Sequence, residues 1–371
     1  MQNSPRPAFV IRALPLAALG FAVTLAAGCS TSSDPDKRPP RDEAVSMAKL
    51  LVSADLDMQS VLNSLAGMKP KAIEKLTPEQ ARLEPSVADA VKAVVAKDGR
   101  DITPESLVPG VTSVDRSIPG AAGDLKARVF TPSGSGPFPV IVYYHGGGWV
   151  IADRTVYDGG ARGLAKQANA VVVSVDYRLA PEHKFPAAHE DALAAYKWVA
   201  NNAASFNGDP KRLALAGESA GGNLAVATAV AARDAGLTPP KHVLSVYPVA
   251  QNSTTTASYL KYADAKPLNK PMMLWFIGYA TSSPADLQDP RINLVAANLK
   301  GLPPVTIINA EIDPLRDDGA QLERALAESG VSVERKLYSG VTHEFFGTAA
   351  VVDKAEQAQM YAGQRLKASL Q

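Results

Sequence analysis

The stretch Leu213-Ala214-Leu215-Ala216-Gly217-Glu218-Ser219-Ala220-Gly221-Gly222-Asn223 decides the fold. Its first four residues predict a short buried strand, and the run from Ala220 to about residue 235 reads as a helix. Between them Gly217-x-Ser219-x-Gly221 puts one serine on a strand-to-helix turn. The turn is so sharp that its flanking positions need glycine for the backbones to pass. It would hold the Ser219 hydroxyl clear of the sheet, with the positive end of the following helix beneath it. A Gly-rich helix start with an incidental serine fits the same letters. A phosphate loop does not, because no Gly-Lys-Ser/Thr follows.

Outward from this turn, β-branched runs alternate with amphipathic ones. Strands are predicted at 126–130, 140–144, 171–175, 213–216, 243–247, 305–308 and 332–338, with helices near 158–168, 188–203, 220–235, 317–329 and 353–369. Continuous apolar strands separated by helices imply an α/β fold: a mostly parallel central sheet with helices on both faces and ligands at the carboxyl ends of its strands. Residues 249–290 interrupt the alternation and read as an insertion that contributes to a cap. Its Tyr259, Tyr262, Trp275, Phe276 and Tyr279 suit either an acyl pocket or plain core. Upstream, Ala44, Met47, Ala48, Leu51, Leu62, Leu65 and Met68, then Val87, Val91, Val94 and Val95, recur at helical spacing. Residues 42–111 are therefore expected to be a helical segment, packing element or cap, ahead of a catalytic domain at 112–371.

Tyr144-His145-Gly146-Gly147-Gly148-Trp149 follows another buried strand. Three consecutive glycines lose much backbone entropy on folding, which is tolerable where backbone N–H groups must point at a ligand. In acyl transfer that ligand is an oxyanion. The loop Gly146–Gly148 supplies one half of its site, and the N–H of Ala220 the other. A serine nucleophile needs a base. Of the five histidines, His145 lies on the glycine loop, His183 and His189 lie between a strand and a helix, and His242 sits at the wrong end of a strand. His343 alone follows the last strand on the correct edge, by a short loop. Its orienter is sought in Asp313, Asp317 and Asp318. Asp313 directly follows the strand near 305–310, whereas the other two fall where a helix begins and are expected to cap it. The order Ser219…Asp313…His343 is that of α/β-hydrolases.

With these motifs in place, the chain resembles the bacterial hormone-sensitive-lipase family of carboxylesterases over roughly residues 112–371. The resemblance rests on H-G-G-G-W, G-E-S-A-G-G-N, D-P-L-R-D and H-E-F, with Asp176–Glu182 and Phe185–Ala187. It implies an α/β-hydrolase fold with Ser219 as nucleophile, Asp313 as acid and His343 as base. The oxyanion donors would be Gly147, Gly148 and Ala220, with Gly146 in the same loop. The implied activity is hydrolysis of small-molecule carboxylic esters of short-to-medium acyl chain, through an acyl-enzyme and with no metal or organic cofactor. An amidase or peptidase would use the same machinery, and a hydrolase-like binding protein would keep the fold without turnover. Glu218 departs from the Asp or Thr that much of the family has before the nucleophile. Its side chain is expected to point away from the reaction.

The remaining features concern location. Residues 1–28 carry only Arg6 and Arg12 as charges and read as an export signal, too short for a comfortable membrane span. They end in Leu25-Ala26-Ala27-Gly28-Cys29, which resembles the bacterial lipobox except that Ala26 stands where Leu is preferred. The resemblance implies a lipid on Cys29 and anchoring in the cell envelope, at the outer membrane if the cell is Gram-negative. An ordinary signal peptide or an uncleaved anchor fits the same residues. The stretch 29–41 is Ser, Thr, Asp, Lys and Pro rich and reads as a tether. Cys29 is the chain's one cysteine, which excludes an internal disulfide, a Cys-rich zinc site and a CxxC pair. With 38 basic against 37 acidic residues, the chain has no basic field for nucleic acid.

Overall fold

Eight strands build one sheet: β1 (Val111–Pro119), β2 (Asp124–Pro132), β3 (Phe138–Tyr144), β4 (Val171–Asp176), β5 (Gly208–Glu218), β6 (Val243–Val246), β7 (Val305–Ile312) and β8 (Val333–Thr342). The computed structural model describes residues 54–371. The export signal, the tether with Cys29, and the helical positions Ala44, Met47, Ala48 and Leu51 lie outside the described residues. The strands run in the order β1-β2-β4-β3-β5-β6-β7-β8. β1 and β2 form an antiparallel hairpin, and β2 pairs antiparallel with β4. All pairings from β4 to β8 are parallel.

The period of two along each strand builds two cores. Val140, Val142 and Tyr144 of β3, with Leu213 and Leu215 of β5, face α4 (Ala187–Asn202), α5 (Ala220–Asp234) and α7 (Arg316–Glu328). Ile141 and Tyr143, with Ala214 and Ala216, face α3 (Asp158–Ala168) and α8 (Asp353–Leu370). These helices start and stop within a residue or so of the positions their periodicity predicts.

Two expectations change. β1 has no clear apolar signature, because at this edge of the sheet only Val111 and Ile118 of its nine residues are buried. β8 does not end at Tyr338 but runs on to Thr342, so His343 leaves the strand directly rather than after a loop. Gly340, at φ +66°, and a register shift opposite Ala310 and Ile312 obscure that continuation. Of the two readings of the upstream segment, packing element or cap, the helices α1 (Leu56–Gly67) and α2 (Val87–Lys97) follow the first. Met58, Val61, Val91 and Val95 join the same core as α8.

The stretch that links α1 and α2 goes elsewhere. Trp275 Nε1, on α6 (Lys270–Ala280) of the insertion, donates to Leu76 O (3.1 Å). The Arg82 guanidinium donates to Val150 O (2.9 Å) and Ala180 O (2.8 Å) and pairs with Glu182. Of the insertion's aromatics, Tyr259, Tyr262 and Phe276 are buried in core, while Trp275 and Tyr279 pack on its margin.

Two helical glycines make the packing testable. A Cβ on Gly363 of α8 would come within 2.5 Å of the Gln167 carbonyl carbon, whereas one on Gly278 of α6 meets nothing within 4 Å. Intrinsic helix propensity favours Ala over Gly by about 1 kcal/mol at either position. Gly278→Ala is therefore expected to raise the urea midpoint. Gly363→Ala is expected to lower stability by about 1–3 kcal/mol, because crowding outweighs propensity there. Equal shifts of the same sign in urea unfolding would contradict this account of the α3–α8 contact.

Candidate active site

The turn between β5 and α5 is a backbone crossing that admits no side chains at its flanks. A Cβ on Gly217 would lie 2.1 Å from Gly221 O, and one on Gly221 would lie 2.0 Å from Tyr144 O. Ser219 itself sits at φ 58°, ψ −118°, outside the regions an L-residue normally occupies. Its neighbours hold it there. Ser219 N donates to Val246 O (2.9 Å), while Ser219 O accepts from Asn223 N (3.1 Å) and Val249 N (3.3 Å). The side chain does not cap α5. Asn223 ties the same turn to the insertion by donating to Val249 O and Ile292 O (3.0 Å each), and it accepts from His189 Nε2 (3.0 Å).

Asp313 comes off the carboxyl end of β7 and His343 off that of β8. His343 Nδ1 donates to Asp313 Oδ2 at 2.7 Å, and Leu315 N donates to Asp313 Oδ1 at 2.8 Å, so both carboxylate oxygens are used. Both side chains are essentially buried. Burial opposes charge on His343, but the Asp313 carboxylate and its hydrogen bond outweigh that, and the imidazole pKa lies above its ordinary value. Ser219 is brought to the same end of the sheet, and among the described residues no hydrogen bond joins it to His343.

The competing acids do other work. Neither Asp317 nor Asp318 caps α7. Asp318 is buried and accepts from Ala250 N (3.1 Å) and Gln251 Nε2 (2.9 Å), and burial pushes its carboxyl up to about 8. Asp317 accepts from Ser258 N (2.8 Å). Both clamp the insertion to the sheet end, a role that needs the fold and leaves no local signal.

The glycine loop lies against the Ser219 turn. Gly147 (φ +97°) and Gly148 (φ +59°) adopt conformations that side chains resist. A Cβ on Gly147 would meet Ile151 O at 2.2 Å, and one on Gly148 would meet the Phe276 ring at 2.3 Å. Gly146 is closed off in the same way by Tyr157 Oη, at 2.3 Å. Among the described residues, no backbone acceptor takes the N–H of Gly147, Gly148 or Ala220. His145 is buried, with its Nδ1–H on Gly146 O (2.7 Å) and its ring stacked on Tyr177 at 4.3 Å. Burial depresses its pKa. Tyr177 Oη donates to His145 O (2.8 Å) and Ala180 N to Trp149 O (2.9 Å), so the Asp176–Pro181 stretch braces the loop. The family resemblance marks this stretch as one that supports the site; which of its residues do so, Tyr177 and Ala180, emerges only with the fold. The other histidines stay apart: His183 is exposed, His189 serves Asn223, and His242 bonds Ser369 and Thr306.

Comparison with known proteins gives a consistent picture. The profile of a family with the α/β-hydrolase fold matches residues 141–347. The carboxylesterase NlhH of Mycobacterium tuberculosis is 39% identical over 280 residues, 74% of this chain and 88% of that protein. An ethyl acetate hydrolase of Pseudomonas putida is 32% identical over 252 residues, 66% of this chain and 79% of that protein. Among solved structures, a thermostable esterase from Pseudomonas putida ECU1011 superposes with a TM-score of 0.77 at 33% identity, covering 86% of this chain and 98% of that one. A hyperthermophilic esterase from the archaeon Pyrobaculum calidifontis gives 0.76 at 34% identity, covering 85% and 98%.

The electrostatics of the Asp313–His343 pair predicts a titration. In a ¹H–¹³C NMR series, the His343 Cε1–H signal should titrate above the free imidazole value of about 6.5. The imidazolium is stabilised by the carboxylate, so Asp313→Asn should move the midpoint down. An unchanged midpoint in that variant would mean the pair does not set the charge of His343.

Proposed function

The chain belongs to the α/β-hydrolase-fold family of hormone-sensitive-lipase-like carboxylesterases and is a serine ester hydrolase, and from that premise we propose that Ser219, His343 and Asp313 are its triad. The observation that carries the reading is the 2.7 Å His343–Asp313 hydrogen bond at the carboxyl ends of β8 and β7, the same end of the sheet as the strained Ser219 turn. Ser219 Oγ attacks the ester carbonyl carbon while His343 Nε2 takes its proton. Asp313 keeps the remaining imidazole proton on Nδ1 and stabilises the charged ring. The carbonyl oxygen, now negative, is received by the free N–H groups of Gly147, Gly148 and Ala220, with Gly146 setting the loop. His343 then protonates the departing alcohol. Water, deprotonated by the same base, hydrolyses the acyl-enzyme.

The substrate reading is a small ester with a short-to-medium acyl chain. Support comes from Phe276, whose ring lies directly over Gly148 and narrows the space beside the oxyanion donors. The ethyl acetate hydrolase among the relatives points the same way. The Leu76–Arg82 stretch and α6, joined by the Trp275–Leu76 hydrogen bond, form the proposed cap over this space. Ser219→Ala is expected to abolish hydrolysis of p-nitrophenyl acetate while leaving the unfolding transition intact. Across a p-nitrophenyl series from acetate to laurate, kcat/KM of the parent enzyme should fall beyond medium chain lengths. Undiminished turnover in the alanine variant would remove Ser219 as nucleophile, and a laurate optimum would refute the chain-length reading.

The enzyme is further proposed to be exported and held in the bacterial envelope by lipid on Cys29. The charge-poor leader, the small residues before Cys29 and the polar stretch after it support this. Among the described residues, no helix is long and apolar enough to cross a membrane. Mass spectrometry of the mature protein should find Cys29 at the N-terminus carrying acyl mass. A mature chain that begins at another residue without a lipid would refute the anchor.

A further inference from the structure

Directly behind the proposed base lies a buried acid that the mechanism does not use. Glu218 is 1% exposed, and its side chain enters the core on the α3 side of the sheet. Tyr143 Oη donates to one carboxyl oxygen and Tyr247 Oη to the other. A Cβ on Gly160 of α3 would fall 2.0 Å from the first oxygen, so that helix seals the carboxyl from solvent. Tyr143 is the next-to-last residue of β3 and Tyr247 follows β6, the two strands on either side of β5. The carboxyl therefore joins the three strand ends that carry the glycine loop, the nucleophile and the wall of the base.

That wall is Tyr247. Its ring lies 4.5 Å from the His343 ring, tilted by 48°. Its backbone is left-handed at φ 33°, pinned by Tyr247 N donating to Ile308 O (2.6 Å). A residue held in that strained conformation has few alternatives once its hydroxyl is fixed. The charged or titratable groups that face this cluster are Asp313 and Glu344 beside His343, and Tyr143, Tyr157, Tyr247 and Glu344 around Glu218. Tyr157 Oη donates to Glu344 Oε1 (3.2 Å), closing the ring of contacts.

We infer that Glu218 is a positioning residue for His343: through Tyr247 it fixes the surface against which the imidazole sits, and its carboxylate biases that imidazole toward the protonated state. The inference rests on His343 being the base. As a carboxylate, Glu218 accepts from both phenols and no proton is left over. When it takes up a proton, that O–H competes with a phenolic donor for the same contact. Burial lifts both phenols well above their usual range, so they remain donors. Burial also pushes Glu218 up to about 7 against the effect of those two hydrogen bonds, so its charge changes in the range where an imidazole titrates. A negative Glu218 favours a positive His343 and raises its pKa. Loss of that charge must lower it.

The test is the pH dependence of kcat and KM for p-nitrophenyl acetate in the parent, Glu218→Gln and Tyr247→Phe enzymes, with active sites counted by a serine-reactive phosphonate. The acid limb of kcat/KM, which reports the free enzyme, should move to lower pH in Glu218→Gln. kcat per labelled site should fall about 10- to 100-fold, the scale of a small misplacement of a catalytic group. KM should hold, since Glu218 touches no substrate. Tyr247→Phe keeps the ring and removes one donor to the carboxylate, so its limb should move the same way by less. A limb unmoved in both variants, or a loss confined to the labelled fraction, would reduce Glu218 to a packing residue and overturn the inference. Should Glu218→Gln fail to fold, the limb of Tyr247→Phe decides alone. If the phosphonate does not label Ser219 in the parent enzyme, the nucleophile reading fails instead, which is a separate result.

Discussion

Everything at the strand ends depends on one backbone contact, the passage of Gly221 against the carbonyl oxygen of Tyr144. No Cβ fits there, since one would sit 2.0 Å from that oxygen. The contact packs the first turn of α5 onto the end of β3, so the Ser219 turn and the glycine loop after β3 become neighbours. Gly217 permits the reverse bend because it too lacks a Cβ, which would fall 2.1 Å from Gly221 O. Ser219 pays for this with a conformation that L-residues avoid, and its backbone hydrogen bonds to Val246, Asn223 and Val249 keep it there. The strain is local, and the surrounding sheet and helix over-determine it.

Around that contact the polar groups divide according to which core they face. On one side His189, Asn223 and Asp318 fasten α4, α5 and α7 to the insertion. On the other side Glu218, Tyr143 and Tyr247 tie three strand ends together. His343 and Asp313 lie at the rim between these sets. Buried polar groups this dense are tolerable because nearly every member has a partner, and an unpartnered one would cost about 1–3 kcal/mol. The arrangement favours rigidity where a proton must move between fixed atoms.

How far the sequence disclosed this differs between the fold and the site. The central strands and their helices were legible because both faces of the sheet are buried, which leaves uninterrupted apolar runs such as Val140–Tyr144. β1 was not, because an exposed edge strand buries only Val111 and Ile118. The far part of β8 was hidden by Gly340 and a register shift. At the site, Gly146–Gly148, Ser219, Asp313 and His343 announce themselves, since each needs a particular residue type at a particular strand end. The roles of Tyr247, Asp318 and Arg82 are not visible in the sequence. Their partners lie tens of residues away, and no local spacing distinguishes them from ordinary core or surface residues.

Glu218 shows why the difference is physical. The residue before a nucleophile in such a turn still belongs to β5, and the period of two sends its side chain into the core opposite α5. Local pattern therefore fixes its direction. It does not fix what the side chain meets, which is set by how long β3 and β6 are and by what each carries at its end. Here each carries, at or just past its carboxyl end, a tyrosine whose hydroxyl reaches the carboxyl: Tyr143 near the end of β3 and Tyr247 directly after β6. An acid shorter by one methylene, as in the Asp common at this position, would have to draw both rings inward to make the same pair of contacts. Tyr247, already strained and braced on Ile308 O, has little room to follow. The longer side chain and the two phenols are best understood as one unit, matched in reach, that holds the imidazole wall from behind.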